Sequence, residues 1–260
     1  MNSLLAGLAL AAATALTANA SAQTAKPTVV LVHGAFADAS SWNNVIRILK
    51  RDGYPVIAVA NPLRSVSADG AYLSNLVGSI STPVVLVGHS YGGSVITEAA
   101  RGHGNVKALV YVSAFAPEAG ETAAALSGRF PGSTLGPTLA PPVTLPNGGV
   151  DLYIQPQKFH DQFAADVPAA DAALMAATQR PITEAALNEK SGAPSWDSIP
   201  SWFIYGDQDK NIPPKALAFM AQRAHSRQTD VIRGASHVVM VSHPEPVAKL
   251  IARASADATH

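Results

Sequence analysis

Four consecutive apolar residues, Val84-Val85-Leu86-Val87, run without a spacer into Gly88-His89-Ser90-Tyr91-Gly92-Gly93. An unbroken apolar run of this length fits a strand buried on both faces, and such strands belong to parallel sheets covered by helices on each side. Glycine on either side of Ser90 permits a turn too tight for neighbouring Cβ atoms, with a helix starting directly beyond it. Strand, sharp turn and helix in that order present a serine hydroxyl at the carboxyl end of a sheet, with the positive end of the helix dipole behind it. This one feature commits the chain to an α/β architecture.

The rest of the chain agrees. Thr28 to Val32, Val56 to Ala60, Ala108 to Val112, Trp202 to Tyr205 and Thr229 to Ile232 are further short, mostly apolar runs. Helical segments are expected at Ser41 to Lys50, Ala68 to Ile80, Ser94 to Arg101, Lys215 to Ala224 and Glu245 to Ala254, with Pro214 and Pro244 at positions a first helical turn tolerates. Alternation with short connections predicts right-handed crossovers and a doubly wound, mainly parallel sheet. One stretch breaks the pattern: Pro117 to Pro194 is Gly/Pro-rich and then Ala-rich, with no convincing strand. An insertion of this length predicts a helical cap over a pocket, or else a packing appendage.

Composition narrows the chemistry. The chain has 260 residues, 48% of them hydrophobic and 14% charged, which predicts one folded unit rather than a disordered chain. Eighteen basic residues balance eighteen acidic ones, so no overall field draws in nucleic acid or anionic lipid. The absence of cysteine excludes disulfides, thiolate metal sites and a cysteine nucleophile. No H-E-x-x-H or comparable ligand set points to a metal, and no G-x-G-x-x-G at the turn points to a dinucleotide, so no cofactor is expected. Residues 1 to 22 carry no charged side chain, and the Ala/Leu run from Leu4 to Leu16 is followed by small residues. As a helix that run would reach about 20 Å against a hydrocarbon core of about 30 Å, so it reads as a signal peptide rather than a membrane span. The expectation is an exported protein, periplasmic or secreted, with a mature domain over residues 23 to 260 and no stable membrane insertion.

A serine hydroxyl is a weak nucleophile unless a base lies within hydrogen-bond reach and a third group fixes that base. After the Trp202 strand comes Gly206-Asp207-Gln208-Asp209-Lys210-Asn211-Ile212-Pro213, and after the Thr229 strand comes Gly234-Ala235-Ser236-His237. Ser90, an aspartate and His237 would then meet at one rim of the sheet. Asp209 is favoured as the orienting carboxylate, with Asp207 as a loop-stabilising neighbour. Two backbone N–H groups are expected to hold an oxyanion, that of Tyr91 and that of Ala35 in the loop Val32-His33-Gly34-Ala35-Phe36, with Phe36 as the alternative to Ala35. His33 is assigned a structural role. Phe36, Phe159 and Phe163 are the substrate-contact candidates, and His160 of the insertion is a weaker one.

At these residues the chain resembles the α/β-hydrolase superfamily. Within it, His33-Gly34-Ala35, Gly88 to Gly93, Ala114-Phe115-Ala116-Pro117-Glu118, Asp209 to Pro213 and Gly234 to His237 resemble the methylesterase and hydroxynitrile lyase branch. The resemblance covers about residues 27 to 117 and 195 to 256 and much less of the insertion. It implies a Ser-His-Asp triad acting on a small carboxylic ester or lactone. Lyases of the branch typically carry threonine and lysine where this chain has Gly34 and Val238, so the resemblance favours the esterases. A lyase-like activity, a cofactor-free haloperoxidase-like activity and a silent ligand-binding protein are the alternatives.

Overall fold

The computed structural model describes residues 26–146 and 148–257. The expected signal peptide lies outside the described residues. Six strands form one parallel sheet: β1 (Thr28–Val32), β2 (Val56–Val59), β3 (Val84–His89), β4 (Val106–Val112), β8 (Ser201–Gly206) and β9 (Gln228–Ile232). Their order across the sheet is β2-β1-β3-β4-β8-β9, so the direction of winding reverses at β1 and β3. At such a reversal the loops leaving the two strands part to opposite faces and open a crevice at their carboxyl ends. The loop that carries Ala35 and the serine turn both leave from that point.

Burial explains why these runs became strands. Every residue of β1 and β3 is buried, because helices cover both faces. Helices α1 (Asn43–Arg51) and α10 (Pro244–Asp257) pack together, and α10 also meets β3, β4 and β8; α2 (Val66–Gly78) packs on α3 (Tyr91–Ala99), which meets β1, β3 and β4. Pro214 opens α8 (Pro214–Arg223) and Pro244 opens α10, as their free first-turn positions allow. Helix α3 starts at Tyr91, three residues earlier than the sequence predicted, because the turn at Ser90 leads straight into it.

The insertion is not free of strands. Between β4 and β8 stand α4 (Ala123–Gly128), then the antiparallel strands β5 (Val143–Thr144), β6 (Val150–Leu152) and β7 (Ile182–Thr183), interleaved with α5 (Pro156–Phe163), α6 (Ala169–Thr178) and α7 (Glu184–Asn188). Strands of two or three residues are too short for alternation to register, which is why the sequence showed none. Arg64 anchors this small sheet to the core: its Nη1 pairs with Asp151 of β6 at 2.7 Å and its Nη2 donates to the Pro181 carbonyl at 2.8 Å. The insertion lies over the carboxyl edge of the main sheet, where Phe163 of α5 reaches His237.

The serine turn is packed backbone against backbone. A Cβ on Gly92 would lie 2.5 Å from the Val32 carbonyl oxygen, and one on Gly88 would lie 2.5 Å from that of Gly92. Gly92→Ala is therefore expected to cost about 1 to 3 kcal/mol, as overpacking does, and to lower Tm by roughly 2 to 12 °C for a domain of this size. An unchanged Tm by calorimetry would show that β1 and the turn are not in this contact.

Candidate active site

Ser90 sits at φ 54 and ψ −124, a left-handed conformation that side chains rarely adopt. Strain of this kind persists only where the surroundings over-determine it, and it clusters at functional sites. Here the Ser90 carbonyl accepts from Gly93 N at 2.9 Å and Phe115 N at 3.1 Å, while Ser90 N donates to the Val112 carbonyl at 3.3 Å. Gly34 closes against the turn from the β1 side, since a Cβ there would lie 2.6 Å from Ser90 Cβ. The serine backbone is thus fixed by β1, β4 and α3 together.

The two aspartates after β8 have separated tasks. Asp209 Oδ2 lies 2.6 Å from His237 Nδ1, and both side chains are buried. Its other oxygen accepts from Asn211 N at 2.8 Å and Ile212 N at 3.0 Å, which fixes the carboxylate before it meets the imidazole. Asp207 instead accepts from Gly234 N at 2.7 Å and ties its own loop to the one that carries His237. With Nδ1 engaged by Asp209, His237 Nε2 is buried and has no hydrogen-bond partner among the described residues.

The Phe36 N–H donates to the Arg180 carbonyl at 2.9 Å, so it is already committed. Among the described residues the N–H groups of Ala35 and of Tyr91 have no such acceptor, and both residues line the cavity that holds Ser90. The Tyr91 side chain is directed elsewhere: its hydroxyl donates to Asp69 Oδ2 at 3.0 Å. His33 holds the loop that carries Ala35, accepting at Nε2 from Asn61 N at 3.0 Å with its Nδ1 2.9 Å from the Gly34 carbonyl. Ser90, His237, Ala35, Phe36 and Phe163 line one cavity of about 340 Å³. Phe115 and Ile212, which lie in the motifs of the resemblance, and Leu135, Leu139 and Leu187, which no sequence pattern marked, add apolar walls, and among the described residues Asp, Glu, Lys and Arg contribute no side chain to the lining.

Phe159 does not line this cavity. It is fully buried one layer behind, with its ring 5.0 Å from that of Phe163. His160 is also held away, by a contact of 2.8 Å between its Nε2 and the Val167 carbonyl inside the insertion. His89, which the sequence reading left without a role, is the residue it missed. Its ring centroid is 4.7 Å from that of His237, and its Nε2 is 3.2 Å from the His237 carbonyl.

A family model, the alpha/beta hydrolase family, matches residues 29–250. The chain is 26% identical over 252 residues to an alpha-hydroxynitrile lyase of Arabidopsis thaliana, covering 88% of this chain and 96% of that one. It is 25% identical over 250 residues to the esterase PIR7B of Oryza sativa subsp. japonica, covering 85% and 93%. The crystal structure of polyneuridine aldehyde esterase superposes with a TM-score of 0.75 at 20% identity, covering 88% of this chain and 98% of that one.

Burial holds His33 below the usual histidine range, and burial together with the neighbouring His237 holds His89 well below it. For a base whose folded pKa is depressed, the unfolded chain binds the proton first. Stability is then fully present above the unfolded pKa of about 6.5 and is lost as pH falls below it, by up to about 1.4 kcal/mol per pH unit for each such histidine. Urea unfolding is expected to give lower stability at pH 5.5 than at pH 7.5. Equal stability at both would contradict two histidines buried neutral.

Proposed function

The chain belongs to the alpha/beta hydrolase family, and we propose that it is a serine hydrolase that cleaves a small carboxylic ester or lactone through an acyl-enzyme on Ser90. Ser90 Oγ attacks the carbonyl carbon while His237 Nε2 takes its proton. Asp209 holds the Nδ1 proton of the imidazole and stabilises the imidazolium that forms. The N–H groups of Ala35 and Tyr91 receive the oxyanion, the second of them at the positive end of α3. The bond to the leaving alcohol breaks, His237 returns the proton to that oxygen, and water repeats the sequence to release the acid.

The observation that carries this reading is the Asp209–His237 contact of 2.6 Å, with Nε2 left unpartnered in the lining that also contains Ser90. The lyase alternative has less support. Threonine at Gly34 would press its Cβ to within 2.6 Å of Ser90 Cβ, and Val238 is fully buried where a lyase would carry an ammonium to steady a departing cyanide. The apolar cavity favours neutral acyl groups, since burying an unpaired charge there costs several kcal/mol. We further propose export, on the strength of the uncharged run from Leu4 to Leu16.

A fluorophosphonate probe is expected to label the protein at Ser90, and Ser90→Ala is expected to lower kcat by roughly 10⁴ to 10⁶ and abolish the label. Labelling of the alanine variant, read by intact mass, would reject the assignment. Asp209→Asn should lose roughly 10⁴ in kcat with the fold intact, whereas Asp207→Asn should leave kcat nearly unchanged and lower Tm slightly, because the hydrogen bond from Gly234 N loses its charged acceptor. A larger kcat loss at Asp207 would reverse the two roles.

A further inference from the structure

The oxyanion segment separates two cavities. Ala35 and Phe36 line the inner one with Ser90, while Phe36 and Ala37 line a second of about 320 Å³ on the far side. Phe36 is common to both linings. Its backbone is left-handed at φ 59, its N–H is tied to the Arg180 carbonyl, and its ring stands edge-on to Phe163 at 6.1 Å between centroids. Phe163 in turn stands edge-on to His237 at 5.1 Å. Phe163 thus links the partition to His237 through two edge-on ring contacts.

The two cavities differ in chemistry. The inner one is mostly apolar, whereas the outer one is mixed: Asp38, with Asn44 and Arg47 of α1 and Asp171 and Thr178 of α6, lines it beside an apolar part that includes Phe36, Ala37, Leu174, Met175 and Val241. The Asp171 carboxylate makes no hydrogen bond among the described residues, and Leu174 is 67% exposed at the rim. Val241 belongs to α9 (Val239–Ser242), the helix that begins two residues after His237.

We propose that the outer cavity receives the alcohol half of the ester, and that Phe36 is the specificity-determining partition whose ring turns aside to admit it. The inference rests on the serine hydrolase reading. Acylation forms the bond from Ser90 Oγ to the acyl carbon and breaks the bond from that carbon to the alcohol oxygen, which takes the proton from His237 Nε2. The alcohol arm must therefore lie on the His237 side, to which Phe163 links Phe36 and the chamber beyond it. Charges of both signs with amide and hydroxyl groups suit a neutral alcohol bearing hydroxyl or ether oxygens. A volume of about 320 Å³ holds about ten groups of water size.

The test compares butyrate esters of methanol, 1-hexanol and glycerol, which share one acyl half. Thr178→Trp, at an exposed position on α6, fills the outer cavity without disturbing the core. It is expected to lower the ratio of kcat/KM for glycerol monobutyrate to that for methyl butyrate by about 10-fold, the scale of a lost pocket contact. Asn44→Trp should do the same from the opposite wall, and Phe36→Leu should raise the ratio. In the wild type, glycerol monobutyrate should exceed hexyl butyrate. A ratio unchanged by both tryptophans, in a protein whose wild-type Ser90 takes the fluorophosphonate, would overturn the outer cavity alone. A wild type that hydrolyses the esters with Ser90 unlabelled would overturn the serine reading beneath it.

Discussion

The strained backbone of Ser90 is the constraint on which the rest of the site depends. A residue held at φ 54 and ψ −124 stands about 1 to 3 kcal/mol above a relaxed one, so the surrounding contacts must over-determine it. They do so by close approach of backbone to backbone: Gly92 against Val32, Gly34 against the turn itself, and the Ser90 carbonyl shared by Gly93 and Phe115. Because β1 and β3 are neighbours at the reversal of strand order, the loop that carries Ala35 and the turn that carries Ser90 are held together by the sheet. The spacing between the serine and the free Ala35 N–H is thereby a property of the fold rather than of loop packing.

The remaining groups arrive from β8 and β9, and the insertion fixes them. Gln162 of α5 donates to the Lys210 carbonyl at 2.9 Å and to Asn211 Oδ1 at 3.0 Å, and Ser127 of α4 donates to the Asn211 carbonyl at 2.8 Å. The loop that holds Asp209 is therefore bound to the insertion on two sides. The loop before His237 is bound as well, through a hydrogen bond from Ser236 to Asp166. Aspartate and histidine keep their 2.6 Å contact inside this clamp, which ties the pocket wall and the Asp209–His237 pair to one set of elements.

Much of this was legible in the sequence, for reasons that differ by element. The serine turn stood out because few residue types fit its backbone, and the order Ser90, Asp209, His237 followed from strand ends that share one rim. Asp209 was favoured over Asp207 from the sequence although both follow β8 within three residues; in the structure the first contacts His237 and the second Gly234. Phe159 and Phe163 lie four apart on α5 and look equivalent in sequence, yet Phe163 lines the cavity and Phe159 backs it. The strands β5 to β7 were invisible because two or three residues carry no period. The contact of His89 with His237 joins residues 148 apart, a separation at which sequence carries no signal without the fold.

The central claim is that the strained turn makes Ser90 the atom that becomes acylated. Rapid acid quench of the enzyme with p-nitrophenyl butyrate, followed by peptide mass spectrometry, tests it most directly. The account predicts a butyryl adduct on the peptide that contains Ser90, rising within one turnover and absent after the substrate is spent. Steady hydrolysis with no adduct at any quench time, or an adduct on another residue that turns over at the catalytic rate, would contradict it.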